Sequence, residues 1–284
     1  MPDFAITTRF APSPTGRLHK GHAYAALQAY HFAKERDGEF LLRIEDIDFN
    51  RCSSAHTDQI LEDLQWLGIG WNEPVRIQSQ HLDDYRRAAA ELSERGLLYP
   101  CFCTRKDILR EIEQAGHAPH GSEGPVYPGT CRDLSEDERA QRISANESHA
   151  LRLDLEGALN ETGRDLKWED TLHGSQLARP ENLGDAIIIR KDIGTSYHLA
   201  VVVDDGIQNI TDIVRGIDLF ESTHLHCVLQ KLLHLPAPTY HHHALLTDDQ
   251  GRRLAKRDHS ITLKSIRDSG ITASQLRTEL GFSA

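Results

Sequence analysis

The stretch Arg9-Phe10-Ala11-Pro12-Ser13-Pro14-Thr15-Gly16-Arg17-Leu18-His19-Lys20-Gly21-His22 decides how the chain begins to fold. Ahead of it and into it, Ala5 to Phe10 mixes β-branched and aromatic residues, and two prolines and a glycine then break the run, so a strand enters a loop. From about Gly21 to Arg36, Ala25, Ala26, Ala29, Tyr30 and Ala33 recur at helical spacing until Gly38 stops the pattern. Glu39 to Glu45 alternates, with Phe40, Leu42 and Ile44 on one face and Leu41, Arg43 and Glu45 on the other, which predicts a second strand. A strand, loop, helix and strand joined this closely open a parallel α/β sheet, whose ligands sit outside the carboxyl ends of the strands. At that first loop a helix N-terminus favours phosphate, and His19 and His22 can donate to its oxygens. Gly21 lets the backbone approach a base or ribose. The plainer reading of the two histidines is a polar helix start.

Further along, amphipathic helices are predicted over about Ala55 to Leu67 and His81 to Arg95, the second closed by Gly96. Between about Pro100 and Arg179 the texture changes to cysteines, a polar loop around Gly116 to Gly129 and a strand with Leu151, Leu153 and Leu155 on one face. This segment reads as an insertion. The apolar runs Asp185 to Arg190 and Tyr197 to Asp204 predict two central parallel strands that complete the sheet. A helix from about Phe220 to Leu233 ends before Pro236 and Pro238, an apolar strand follows at Ala244 to Leu246, and a turn at Asp248-Asp249-Gln250-Gly251 comes next. The expected units are residues 1–100, the first half of the sheet domain; 101–179, the insertion; 180–250, its second half; and 251–284, a basic loop with a short helical tail such as Ala273 to Leu280.

The 284 residues are 39% hydrophobic and 26% charged, with 32 Lys and Arg against 43 Asp and Glu for a net charge of −11. That balance argues against a protein that coats nucleic acid by bulk charge but permits a local grip on one RNA. Residues 1–250 carry 25 basic and 40 acidic side chains, net −15, whereas 251–284 carry seven and three, net +4, with Arg252, Arg253, Lys256 and Arg257 close together. No stretch approaches the roughly 20 apolar residues of a membrane span, and the start lacks the build of a signal peptide. A cytoplasmic protein, expected to be a monomer without membrane partners, is the reading. Its five cysteines, an odd number, suit reduced thiols or a metal site better than a disulfide framework.

His19-Lys20-Gly21-His22 on the first helix and Arg253-Leu254-Ala255-Lys256-Arg257 late in the chain resemble the paired motifs of class I aminoacyl-tRNA synthetases. Lys20 stands where an apolar residue is usual, and Arg253 and Ala255 stand where a lysine and a serine are usual. The resemblance implies a Rossmann-type parallel sheet, ATP as co-substrate with Mg²⁺, and His19, Gly21, His22 and Lys256 at the ATP, with the two histidines and Lys256 as catalytic groups. Arg9 to Gly16 together with Leu42-Arg43-Ile44-Glu45-Asp46-Ile47-Asp48 resembles the glutamate-activating branch over most of the chain. For glutamate it implies Arg9, Phe10, Ala11, Pro12, Ser13, Glu45, Tyr197 and Arg215. Chemistry agrees, because glutamate offers two carboxylates and an ammonium, which suit an Arg fork and a carboxylate. A structural ion pair at the strand ends is the other reading of Arg9 and Glu45.

Cys101-Phe102-Cys103 and Cys131 bring three thiolates to one Gly/Pro-rich region, with Cys52 and Cys227 elsewhere. A structural zinc takes four ligands, and spacing alone nominates His117 or His120 as the fourth. Similarity to the short glutamyl-queuosine tRNA(Asp) synthetases implies Tyr127 instead, from Tyr127-Pro128-Gly129-Thr130-Cys131, with His120 as the alternative. His241-His242-His243 reads as polar strand residues rather than a metal tract.

That short family adenylates glutamate and transfers it to the queuosine base in the anticodon of tRNA(Asp), so the expected partners are that tRNA, L-glutamate and ATP. Charging of tRNA(Glu) is the second reading and a non-catalytic, zinc-bearing RNA-binding paralogue the third. Only 27 residues follow Arg257, and the tRNA(Glu)-charging enzymes carry a whole anticodon-reading domain there, which turns the expectation toward the modified base.

Overall fold

The small residues that mark the first helix let it lie directly on the sheet. In this computed structural model, which describes residues 5–108, 120–121, 124–247 and 261–282, β1 (Thr7–Phe10) leads into α1 (Lys20–Lys34), whose Ala23, Ala26, Leu27, Ala29 and Ala33 are buried. The Thr8 hydroxyl of β1 donates to the Ala29 carbonyl at 3.0 Å, a contact that alanine-sized residues permit. β2 (Glu39–Ile44) pairs in parallel with β1, and α2 (Ser54–Trp66) carries the chain to β3 (Asn72–Ile77), also parallel to β2. At Gly38 a Cβ would meet the Ile6 carbonyl oxygen at 2.4 Å, so a glycine is required where α1 turns into β2.

After α3 (Leu82–Glu94) come β4 (Leu98–Cys101), the two-residue strands β5 (His120–Gly121) and β6 (Gly124–Pro125), α4 (Glu136–Ser144), β7 (Ala150–Leu153) and α5 (Leu155–Thr162). Next are β8 (Lys167–Asp170), β9 (Gly174–Leu177), β10 (Ile187–Ile189), α6 (Tyr197–Ile207), β11 (Asp212–Gly216), α7 (Phe220–Leu232) and β12 (Thr239–His243). The described chain closes with α8 (Leu263–Asp268) and α9 (Ala273–Glu279). β11 and β12 are parallel, β12 and β8 are parallel, and β9 turns back antiparallel on β8. The amide of Thr211 donates to the Thr7 carbonyl at 3.0 Å, which sets the start of β11 beside β1. Two sheets, β3-β2-β1 and β11-β12-β8-β9, thus adjoin where β1 meets β11, and α1 packs across both of these strands.

Two expected central strands are corrected. Residues 187–189 do form a strand, but β10 pairs antiparallel with β7, and β7 with β4, in a separate sheet. Tyr197 to Asp204 is helical. The Ser196 hydroxyl caps α6 by accepting the Leu199 amide, and Leu199 to Asp205 are all buried. A helix buried on every side has no polar face, so its β-branched run imitates a buried strand. The apolar strand expected at Ala244 to Leu246 is also displaced: the strand is β12, and residues 244–246 have no regular structure. The turn at 248–251 and the basic segment 252–257, Lys256 included, lie outside the described residues, as do His117 and the side chain of His120.

One core joins α1, α2 and β1 to β3 with Leu263, Ile266 and Leu276 of the tail, and a second gathers α3, β7, α5, α6 and α7. No helix among the described residues is long and apolar enough to cross a membrane. Phe40 is fully buried in the first core. Phe40→Ala is expected to lower unfolding free energy by about 3–5 kcal/mol in a denaturant titration.

Candidate functional site

The two histidines of the opening loop cap their own helix. His19 is the N-cap of α1 and its Nδ1 accepts the Gly21 amide at 3.1 Å, while His22 Nδ1 accepts the His19 amide at 3.3 Å. Spacing of three matches a capping box. With Nδ1 an acceptor on both rings, each neutral imidazole carries its proton on Nε2. The ring centroids are 3.8 Å apart. The helix start and the two Nε2–H groups together form a donor surface suited to an anion.

These histidines line a pocket of about 610 Å³ together with Arg9, Phe10, Ala11, Ser13, Gly21, Glu45, Tyr197 and Arg215. Of the residues expected around glutamate, Pro12 alone is not in the lining; its carbonyl accepts the Glu45 amide at 3.1 Å and so ties the loop to the end of β2. Tyr197 reaches the pocket from the first turn of α6 rather than from a strand. Leu245, Leu246, Tyr24 and Ala25 add an apolar side. Leu246 is followed after Thr247 by the undescribed segment, and on its far side Thr262 bridges to His19 while the Leu263 amide donates to the Leu18 carbonyl at 2.9 Å.

Arg9 does form a fork, but with a protein carboxylate. Its Nε and one terminal nitrogen lie 2.9 and 3.2 Å from the two oxygens of Asp205. Glu45 accepts from Arg43 at 3.1 and 3.3 Å. Arg43 is fully buried and also donates to Asp205 at 2.7 Å and to Gln208 at 3.1 Å, with Asp204 at 3.7 Å. Asp204 in turn takes Arg76 at 2.7 Å, Gln78 at 2.8 Å and the Tyr85 hydroxyl. Three guanidinium groups, Arg9, Arg43 and Arg76, thus face three carboxylates, Glu45, Asp204 and Asp205.

Burial raises the Glu45 carboxyl above its ordinary range despite Arg43 and Arg9. For Asp205 burial pulls the same way, and there Arg9 and Arg43 win and hold it low. A cation entering the pocket would find Glu45 the less compensated acid. The sequence reading did not find Arg43, Asp204 or Asp205 as part of the site, because 160 or more positions separate the two acids from Arg43 and α6 was read as a strand.

A second constellation lies at the cysteines. Cys101, Cys103 and Cys131 have sulfurs within 4.8 Å of one another. The Tyr127 oxygen is 3.5 Å from Cys101 Sγ and 3.6 Å from Cys103 Sγ, and Cys103 and Cys131 are 3.4 Å apart. Tetrahedral zinc with Zn–S bonds of about 2.3 Å separates its sulfurs by roughly 3.8 Å, so the donor set is of the right size and chemistry. The Cys131 amide donates to the Tyr127 oxygen at 2.9 Å, and Arg152 stacks 3.7 Å over the tyrosine ring. The histidine triple is not a ligand tract. It lies in β12, with His242 paired to Asp170 and His243 bonded to the Ala244 carbonyl.

Comparison with known proteins places this geometry. Residues 5–281 match the family described as tRNA synthetases class I (E and Q), catalytic domain. A glutamyl-Q tRNA(Asp) synthetase of Rhodobacter capsulatus is 47% identical over 98% of this chain and 100% of its own length. A glutamate–tRNA ligase of Hydrogenobaculum is 34% identical over 93% of this chain, which spans 55% of that protein. A crystal structure of the glutamate–tRNA synthetase of Elizabethkingia anophelis superposes with a TM-score of 0.75 at 28% identity, covering 90% of this chain and 53% of that one.

The ion network generates a stability prediction. Arg43→Leu leaves Glu45, Asp204 and Asp205 underpaired and is expected to lower unfolding free energy by about 3–5 kcal/mol in urea titration.

Proposed function

The chain belongs to the class I tRNA synthetases of the glutamate and glutamine type, and on that premise we propose that it activates glutamate with ATP and transfers it to queuosine in the anticodon of tRNA(Asp). The observation that carries the acceptor is end-to-end similarity to a glutamyl-Q tRNA(Asp) synthetase, whereas the chain spans about half of the glutamate–tRNA ligase it matches.

The pocket residues take these roles in the reading. Arg215 and Arg9 face the carboxylates of glutamate, Glu45 takes its ammonium, and Tyr197, Phe10, Ala11 and Ser13 shape the space between. The ATP lies toward Gly21 and the apolar side. An oxygen of the glutamate α-carboxylate attacks the α-phosphorus, the bond to the pyrophosphate oxygen breaks, and glutamyl adenylate and pyrophosphate result. His19 and His22 donate through Nε2 to phosphate oxygens as charge builds, and the start of α1 adds its dipole. Lys256 belongs to a segment whose two flanks sit at this pocket, which suits a contact with the ATP phosphates. Mg²⁺ bound to the ATP would offset phosphate charge. The acceptor on the queuosine base then attacks the acyl carbonyl and AMP leaves. No side chain serves as a nucleophile, so catalysis is positioning and charge stabilisation.

Cys101, Cys103, Tyr127 and Cys131 hold one structural zinc in this proposal. A zinc held there would cross-link the end of β4 to the loop before α4, two segments that also pack together in a small core of Tyr99, Cys101, Phe102, Tyr127 and Cys131. Metal analysis of the purified protein is expected to give about one zinc per chain, and Tyr127→Phe is expected to weaken its retention against a chelator. Absence of zinc, or unchanged retention, argues against the site or against the tyrosine.

Radiolabelled glutamate is expected on tRNA(Asp) that contains queuosine and not on tRNA(Asp) that lacks it; labelling of tRNA(Glu) would overturn the acceptor. In glutamate-dependent ATP–pyrophosphate exchange, Glu45→Ala is expected to raise the glutamate KM and Lys256→Ala to lower kcat. Unchanged kinetics in both variants would show that these roles are misplaced.

A further inference from the structure

The two pocket arginines are held in opposite ways. Arg9 is matched bidentately by the carboxylate of Asp205. Among the described residues, Arg215, on β11, has only uncharged acceptors. Its Nε donates to His242 Nε2 at 3.0 Å, and one terminal nitrogen donates to the Leu219 carbonyl at 3.1 Å and the Thr223 hydroxyl at 2.6 Å. The other terminal nitrogen is 3.5 Å from the Tyr197 hydroxyl, and both residues line the pocket. Among the described residues no carboxylate lies within 4.0 Å of Arg215, although it is only 6% exposed.

His242 can fill this place in one form alone. A guanidinium N–H only donates, so Nε2 must carry a lone pair and the ring proton must sit on Nδ1. Nδ1 is 2.6 Å from Asp170 Oδ2. Asp170 also accepts the amides of Leu172 and His173 at 2.8 and 2.9 Å and the amide of His242 at 3.2 Å. Burial alone would raise the Asp170 carboxyl, but His242 and these amides hold it low. Burial and the neighbouring Arg215 push the His242 imidazole down to about 3, which keeps it neutral. Arg215 and His242 are paired in register on β11 and β12, and Asp170 stands on the adjoining β8, so the three side chains form a row across three neighbouring strands.

We propose that Asp170 and His242 are positioning residues that orient Arg215 through a neutral imidazole and leave its positive charge for the carboxylate of the amino-acid substrate. A carboxylate in direct contact would fix the guanidinium equally well but would compete with the substrate for it, as Asp205 does at Arg9. Placing the acid one imidazole away supplies orientation without that competition. Asp170 selects the tautomer; with the proton on Nε2, two N–H donors would oppose each other and the guanidinium would turn away.

The inference rests on reading the pocket as a glutamate site, and the test separates the two. Glutamate-dependent ATP–pyrophosphate exchange is measured with tRNA present for the wild-type chain, His242→Ala, His242→Gln, Asp170→Asn and, as the reference, Arg215→Ala, with thermal melting as the check on folding. His242→Ala and Asp170→Asn are expected to raise the glutamate KM about ten-fold or more, with far smaller changes in ATP KM and kcat. His242→Gln, whose amide oxygen can accept from Arg215 Nε, is expected to recover most of the loss. If His242→Ala does not fold, Asp170→Asn and His242→Gln decide the matter. A raised glutamate KM in Arg215→Ala with no change in the folded relay variants overturns the relay alone. Equal losses in glutamate and ATP kinetics without recovery by glutamine also overturn it, since they mark a structural role. Absence of glutamate-dependent exchange in the wild-type chain overturns the pocket reading and the relay together.

Discussion

The structure depends on a fully buried guanidinium. Arg43, near the carboxyl end of β2, is fully buried, and a charge in that position is tolerable only when opposite charges and acceptors surround it. Asp205, Glu45, Asp204 and Gln208 do so; the two aspartates come from α6 and Gln208 is its C-cap. The same pairings bring α6 to the carboxyl ends of β1 and β2, where Arg9 completes the match to Asp205. The placement of Tyr197 follows, since it begins the helix that these acids anchor.

Around this network the pocket has graded electrostatics. Arg9, Arg43 and Asp205 compensate one another closely, Glu45 is held less well and rises under burial, and Arg215 is held by groups without charge. At the other side, the cap of α1 turns two histidines into outward donors while satisfying its own amides. The cap takes Nδ1 of each ring, which sets the ring proton on Nε2.

The opening strand, loop and helix, the second strand and the helix of residues 220–232 were legible because their local signals agree: turn residues, small-residue periodicity and alternation. The cysteine cluster was legible as a set of ligands, and the structure brings its three sulfurs and the Tyr127 oxygen together. The run Tyr197 to Asp204 misled, because uniform burial removes the polar face by which a helix is recognised. Ile187 to Ile189 gave no hint that its partner is antiparallel, because the sense of pairing is set by which strand lies beside it and not by the strand's own residues.

The sequence by itself determined which chemistry is present: the capping histidines three apart, the arginine and glutamate at the ends of the first two strands, and the thiolates flanking a Gly/Pro loop. These are local patterns, and local sterics and hydrogen bonding suffice to give them meaning. Only the tertiary structure decided how the charges pair. Arg9 and Asp205 are 196 residues apart, and Asp170 and His242 are 72 apart. Such partners are chosen by which strands and helices pack together and by the requirement that every buried charge be matched, and neither condition is written in any short stretch of the chain.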